Sequence, residues 1–179
     1  YLNTGTSTPF NDETGLVIGT THRDSYQVTS GDVDGDGDID LVYANSGDHG
    51  QINRLFLNNG TSDPFNGVEG LDIGDKADMS FDVVLVDVNN DDMLDLIVGN
   101  ASPILSDAAV DPNESWVKTN WLYLNDGSNR PFVNTTPLPI GSELDDTTAL
   151  WVVDMNRDNL LDIIVANSAD KDSSVGAIN

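Results

Sequence analysis

Three loops in this chain place acidic and amide side chains at alternating positions, a pattern that can bind a metal ion. The first, loop 1 (residues 32–40), has carboxylates at its positions 1, 3, 5 and 9. Oxygen ligands at every second position of a tight turn can surround one hard cation, and the backbone carbonyl of position 7 can complete the set. The predicted ligands of loop 1 are Asp32, Asp34, Asp36, Asp40 and, through its carbonyl, Asp38.

Loop 2 (residues 87–95) and loop 3 (residues 154–162) repeat this spacing. The predicted ligands of loop 2 are Asp87, Asn89, Asp91, Asp95 and the carbonyl of Met93. Those of loop 3 are Asp154, Asn156, Asp158, Asp162 and the carbonyl of Leu160. Calcium takes about 6–8 oxygens, whereas magnesium keeps fewer protein ligands in a stricter geometry. The sequence therefore predicts three Ca²⁺ sites, one per loop. Loop 1 should bind most tightly, because it alone offers four carboxylates.

The remaining loop positions predict how each loop turns. Position 6 is Gly37, Asp92 or Asn159, residue types that most readily adopt positive φ. Position 8 is apolar in every loop, which predicts an anchor in the hydrophobic core, and its residues are Ile39, Leu94 and Leu161. Arg157 departs from the pattern at position 4 of loop 3, and its positive charge should weaken calcium binding there.

Internal repeats determine which elements position these loops. YLNTGTSTPF at 1–10 returns as FLNNGTSDPF at 56–65 and as YLNDGSNRPF at 123–132, and each copy lies 31 residues before an Asp loop. The loops start 55 and 67 residues apart, and the difference is an insertion at about 101–119. The repeats predict one continuous array of three units: 1–55, 56–122 and 123–179.

The sequence of each unit predicts β-strands. The runs LVYAN, LIVGN and IIVAN follow the Asp loops and are β-branched and bounded by Asp or Asn, as expected of strands buried on both faces. Residues 54–58 and 121–125 predict two more strands, and 80–86 and 147–153 predict the first arms of hairpins. About four short strands per unit favour an all-β fold of three four-stranded, propeller-type blades.

The ends of the chain cut the repeat at almost the same phase, because residues 177–179 match 51–53, just before the next copy of the first motif. Three blades cannot close a ring, since propellers typically need about 4–8. We therefore expect either part of a larger propeller or an open array whose copies continue head to tail.

Composition excludes several classes of function. The formal net charge of −24 opposes binding to nucleic acid or to anionic membranes. No run of residues is apolar and long enough to predict membrane insertion. The absence of cysteine excludes disulfides, thiolate zinc sites and cysteine nucleophiles. The sequence also lacks a nucleophile elbow, a phosphate loop and a dinucleotide fingerprint, so we expect no enzyme.

The EF-hand is the obvious alternative for an Asp-rich loop, but its bidentate Glu at position 12 is replaced here by Tyr43, Val98 and Val165. DVDGDGDIDLVYAN, DVNNDDMLDLIVGN and the recurrent NRLFLNNGTSDPF instead resemble the FG-GAP/VCBS repeats of integrin α-subunit propellers and of tandem-repeat extracellular microbial proteins. The resemblance implies four-stranded blades, each with a calcium-bearing hairpin loop, in proteins of adhesion, carbohydrate binding or surface assembly.

These observations predict a calcium-binding extracellular or cell-surface module in which calcium is structural and the partner is a glycan, a protein or further copies of the repeat. Two alternatives stay open: a segment of a polymeric extracellular fibre, and a non-catalytic scaffold attached to an enzyme domain. Trp116, in the insertion, is a candidate for stacking against a ligand. Asn59 and Asn113 lie in N-x-Ser/Thr sequons on predicted loops and are candidate glycosylation sites.

Overall fold

Short antiparallel β-strands make up the regular structure of the residues that the computed structural model describes, which are 1–11, 14–47, 50–101, 118–142 and 146–168. The first sheet contains, in spatial order, β1 (Ser25–Gly31), β2 (Asp40–Asn45), β3 (Arg54–Phe56) and β4 (Leu71–Asp72). The second contains β5 (Ser80–Val86), β6 (Asp95–Asn100), β7 (Asn120–Tyr123) and β8 (Leu138–Ile140). The third contains β9 (Asp146–Val153) and β10 (Asp162–Ser168). Among these residues, no helix could span a membrane.

This architecture confirms the predicted all-β fold of propeller-type, four-stranded antiparallel sheets. Two of the sheets have four strands each, and every strand pairs with its neighbour along the chain. The third sheet has two strands within the described residues, which end at Ser168. The described residues therefore contain two complete four-stranded sheets and the first two strands of a third.

The same hairpin opens all three sheets, and an Asp loop connects its two strands. Loop 1 joins β1 to β2, loop 2 joins β5 to β6, and loop 3 joins β9 to β10. Each hairpin has one register shift at the end remote from its Asp loop. The predicted strands at 80–86, 147–153 and after each loop are confirmed, and so are shortened forms of those predicted at 54–58 and 121–125.

The sheets are offset from the sequence repeats. Hydrogen bonding groups residues 25–72 into the first sheet and residues 80–140 into the second, whereas the repeated motifs were counted from residues 1, 56 and 123. A repeated sequence can be divided at any phase, because its period is the same wherever counting starts. Hydrogen bonding between strands defines the structural unit: each sheet starts with the strand that precedes its Asp loop.

Consecutive sheets pack against each other mainly through their first strands, β1 on β5 and β5 on β9. The second sheet therefore lies between the other two, and all six residues of β6 are buried. The expectation of burial on both faces is wrong for β10, where exposed and half-buried residues alternate. Within the described residues, the third sheet has a neighbouring sheet on one face only.

The core anchor predicted at loop position 8 forms in one loop of three. Leu94 packs against the core cluster and lies beside Gly31 of the preceding sheet. Ile39 and Leu161 are instead 53% and 40% exposed, so the prediction is wrong for them. No sheet precedes loop 1 in the described residues. The residue of the second sheet that is equivalent to Gly31 is Val86. Val86 has a side chain, whereas Gly31 has none.

A line of polar residues, joined by hydrogen bonds of their side chains and, at Asn45 and Asn100, of the backbone N–H, connects the three sheets at the hairpin ends remote from the Asp loops. We call it the polar relay, and its members are Ser25, Asn45, Asn53, Ser80, Asn100, Asn120, Thr147 and Asn167. The six central members are buried, with exposed fractions of 9% or less. Buried polar groups stabilise a fold only when they are satisfied, and here neighbouring sheets satisfy one another.

Candidate metal centre

Loop 1 brings three carboxylates together at the end of the β1–β2 hairpin. One ligand oxygen from each of Asp32, Asp34 and Asp40 lies within 4.8 Å of the other two. Asp40 is buried and the other two are half-buried. None of the three ion pairs among the described residues involves this loop, so no Lys or Arg compensates the charges. An all-oxygen, uncompensated acidic cluster fits a hard cation such as Ca²⁺.

The first Asp of each loop shapes the turn by accepting backbone hydrogen bonds on both of its oxygens. In loop 1, Gly35 N–H and Gly37 N–H donate to Asp32 at 2.8 and 3.0 Å. The same position accepts two N–H groups at Asp87, from Asp91 and Asp92 at 3.1 and 2.9 Å. In loop 3 Asp154 accepts from Arg157, Asp158 and Asn159 at 2.6–3.1 Å. The three loops therefore share one backbone conformation.

Position 6 has positive φ in all three loops, as the residue types predict, with values of 94° at Gly37, 66° at Asp92 and 71° at Asn159. Position 4 also has positive φ, which the sequence did not predict: 76° at Gly35, 59° at Asn90 and 65° at Arg157. The glycine in loop 1 was the available signal. Arg157 is the least suited of these residues, because left-handed backbone brings its Cβ close to the following carbonyl.

Replacing Arg157 with glycine is expected to stabilise the protein by about 0.5–1 kcal/mol, since it relieves left-handed strain. Urea unfolding at fixed calcium measures the change. The matched control is Gly35→Ala at the same position of loop 1, which should destabilise by a similar or larger amount. A loss of stability in Arg157→Gly would contradict the strain argument.

The last Asp of loops 1 and 2 ties each loop to the sheet. Asp40 accepts Val33 N–H at 3.0 Å on one oxygen and Asn58 N–H at 2.8 Å on the other. Asp95 does the same with Val88 and Asn125, at 3.1 and 2.8 Å. In loop 3, Asp162 accepts Met155 N–H at 2.8 Å. These residues are therefore structural acceptors as well as candidate ligands.

Burial raises the pKa of two carboxylates of loop 1 and one of loop 2. Desolvation raises the pKa of Asp34, and the neighbouring negative charge of Asp36 adds to this effect. Desolvation also raises the pKa of Asp40 and of Asp95, although their backbone hydrogen bonds act in the opposite direction. Burial therefore disfavours the charged form of each, and a nearby positive charge would favour it.

The other predicted ligands are less convergent. Asp36 is exposed, and its carboxylate accepts Asp38 N–H at 2.9 Å. In loops 2 and 3, the position-3 amides donate to the position-5 carboxylates: Asn89 to Asp91 at 2.9 Å and Asn156 to Asp158 at 3.0 Å. The carbonyl ligands at Asp38, Met93 and Leu160, and calcium binding in all three loops, stay predictions.

The weaker candidate sites lie away from this centre. Asn59 is exposed, and its side chain accepts the Thr61 hydroxyl at 2.7 Å and donates to the carbonyls of Asp63 and Asn66. Trp116 and Asn113 lie outside the described residues, as does most of the insertion. Ligand stacking and glycosylation therefore stay predictions.

Sequence reasoning missed two residues that hold the loops in place, Asn58 and Asn125. They occupy the same place in the repeated LN-x-G motif, which was the available signal. Each donates its side-chain N–H₂ to the carbonyl of position 8 of its own loop, at 3.0 Å for Ile39 and 3.1 Å for Leu94. Each also accepts a glycine N–H at 3.0 Å, which turns the chain after the third strand.

Comparison with known protein families agrees with this geometry. Residues 32–98 match the family model of the FG-GAP-like repeat, a segment that runs from the first Asp of loop 1 to Val98 in β6. No curated protein matches the chain significantly. The predicted resemblance is therefore confirmed for this segment, which matches an FG-GAP-like repeat, and the described part of the chain is all-β.

Proposed function

We propose that this chain is a calcium-binding, non-catalytic repeat module of an extracellular or cell-surface protein. Its calcium is structural, and its exposed loops and sheet faces serve adhesion, glycan or protein binding, or surface assembly. The observation that carries the proposal is the convergence of Asp32, Asp34 and Asp40 at the hairpin end. The FG-GAP-like match over residues 32–98 supports it.

The role proposed for calcium follows from where the carboxylates lie. They belong to the loop that connects the first two strands of the first sheet, and each of the three accepts a backbone N–H group of the same loop. A cation there would offset repulsion of up to about 4 kcal/mol per carboxylate pair at close range. Asp32, Asp34 and Asp40 would hold it, and it would supply positive charge that keeps the hairpin end closed.

Calcium affinity should follow carboxylate number, so Asp32→Ala is expected to reduce calcium binding more than Asp154→Ala. Each variant loses position 1 of its loop, but Asp32 belongs to the only described group of three converging acidic side chains. Isothermal titration calorimetry of both variants against the intact protein measures the losses. Equal losses, or a larger loss in Asp154→Ala, would contradict the ranking.

Polymerisation into a fibre is the second candidate, favoured by one observation. The outward face of the third sheet carries Trp151, Val153 and Ile164, which are 68%, 37% and 40% exposed. The equivalent residues of the second sheet are Val84, Val86 and Ile97, which are half-buried or buried. Electron microscopy of the chain in calcium separates filaments from single particles.

The surface charge supports the choice of partner class. A net charge of −24 favours cations and uncharged or basic ligands, and it opposes nucleic acid. The partner in this proposal is a glycan, a protein or a further copy of the repeat.

A further inference from the structure

We propose that Asn125 couples calcium binding in loop 1 to calcium binding in loop 2. The proposal rests on the proposed function, since it requires both loops to bind the ion. Asn125 lies just after β7, in the second sheet. Its side-chain N–H₂ donates to Val33 O in loop 1 at 2.8 Å and to Leu94 O in loop 2 at 3.1 Å. One buried side chain therefore bonds to both loops.

A short chain of hydrogen bonds joins a candidate ligand of one loop to a candidate ligand of the other. Val33 N–H donates to Asp40 at 3.0 Å, and Val33 O accepts from the Asn125 side chain. The backbone N–H of Asn125 then donates to Asp95 at 2.8 Å. Two residues thus connect the position-9 carboxylate of loop 1 with that of loop 2.

Burial keeps water from replacing these bonds. The exposed fractions are 1% for Asp40, 3% for Val33, 6% for Asn125 and 0% for Asp95. A buried hydrogen bond cannot be exchanged for one to water without cost, so its two ends move together. When one loop closes around an ion, it fixes the backbone that the other loop requires.

Asn58 provides a matched comparison within the same chain. It makes the same local bonds as Asn125: its N–H donates to Asp40, its side chain donates to Ile39 O, and it accepts Gly60 N–H. Among the described residues, it has no recorded hydrogen bond to another Asp loop. The bond to Val33 O is what distinguishes Asn125, so the two alanine variants separate linkage from local support.

The experiment is a calcium titration followed by the amide signals of Gly37, Asp92 and Asn159 in heteronuclear NMR spectra, one reporter for each loop. Loop 1 is disabled by Asp34→Ala, because Asp34 belongs to the three converging carboxylates but lies outside the chain of hydrogen bonds that joins Asp40 to Asp95. We expect this change to weaken calcium binding at loop 2 by about five-fold or more. Disabling loop 3 through Asp158→Ala should leave loop 2 unchanged.

The same titrations in two further backgrounds assign the coupling to one residue. In Asn125→Ala, disabling loop 1 should no longer affect loop 2, whereas in Asn58→Ala the effect should remain. Persistent coupling in Asn125→Ala would overturn the proposal and indicate that other contacts between the sheets carry the coupling. If Asn125→Ala does not fold, Asn125→Ser serves instead, since a serine side chain is too short to span both carbonyls.

The outcomes for the two proposals are distinguishable. If no loop signal responds to calcium, the proposed function fails. If all loops respond but loop 2 binds equally well with and without a functional loop 1, the coupling fails and the proposed function stands.

Discussion

Removing calcium with a chelator is expected to lower the melting temperature of the protein and weaken its β-sheet circular dichroism. An ion that binds only the folded state at about 100 times its Kd adds about 2.7 kcal/mol per site. Three such sites would add roughly 8 kcal/mol, which corresponds to roughly 15–30 °C for a protein of this size. The effect is large because each loop closes the first hairpin of a sheet, and the hairpins form the contacts between sheets.

Two controls make this measurement specific. Calcium added in excess of the chelator should restore the melting temperature, whereas magnesium at the same concentration should restore less, because it prefers fewer protein ligands. Asp36→Ala should reduce the calcium-dependent increment while leaving the melting temperature in chelator nearly unchanged, since Asp36 is exposed. An identical melting curve with and without chelator would refute structural calcium in all three loops.

The strands that sequence reasoning found are those whose residues specify them locally. β2, β6 and β10 are β-branched runs bounded by Asp and Asn, so their limits could be read directly. β4 was missed because it spans only two residues, and β8 because its central residue is Pro139, which argues against a strand. They exist because β3 and β7 offer an edge to pair with, which is a tertiary cause.

The candidate site also has features that the local sequence predicts and features that depend on tertiary contacts. The convergence of Asp32, Asp34 and Asp40 and the positive φ of position 6 were predictable, because both depend on spacing within nine residues. The second role of Asp40 and Asp95 was not, since it depends on the amides of Asn58 and Asn125, 18 and 30 residues further along. Exposure of Ile39 and Leu161 also depends on the neighbouring sheet. Sequence therefore indicates the chemistry, and packing decides which loops are anchored and linked.

Asn100→Ala is expected to cost about 2–4 kcal/mol of folding free energy, because Asn100 is the central residue of the polar relay. It accepts the Ser80 hydroxyl at 2.8 Å and donates to Thr119 O at 2.7 Å. Ser80 is completely buried, so its hydroxyl has no access to water once Asn100 is truncated. A buried group left without its partner costs about 1–3 kcal/mol, and this variant removes the acceptor of the buried Ser80 hydroxyl and the donor to the half-buried Thr119 carbonyl.

Alanine variants of two other asparagines serve as comparisons. Thermal or urea unfolding of the three variants ranks their losses of folding free energy. Asn45 occupies the same place in the first sheet, where it accepts the Ser25 hydroxyl and donates to Ile52 O. Ser25 is exposed, so water can replace its lost partner and Asn45→Ala should cost less. Asn66 is exposed and has no recorded side-chain hydrogen bond among the described residues, so Asn66→Ala should change stability by less than about 0.5 kcal/mol. Equal losses for Asn100 and Asn45 would show that the cost arises from the shared local geometry of the hairpin rather than from burial between two neighbouring sheets.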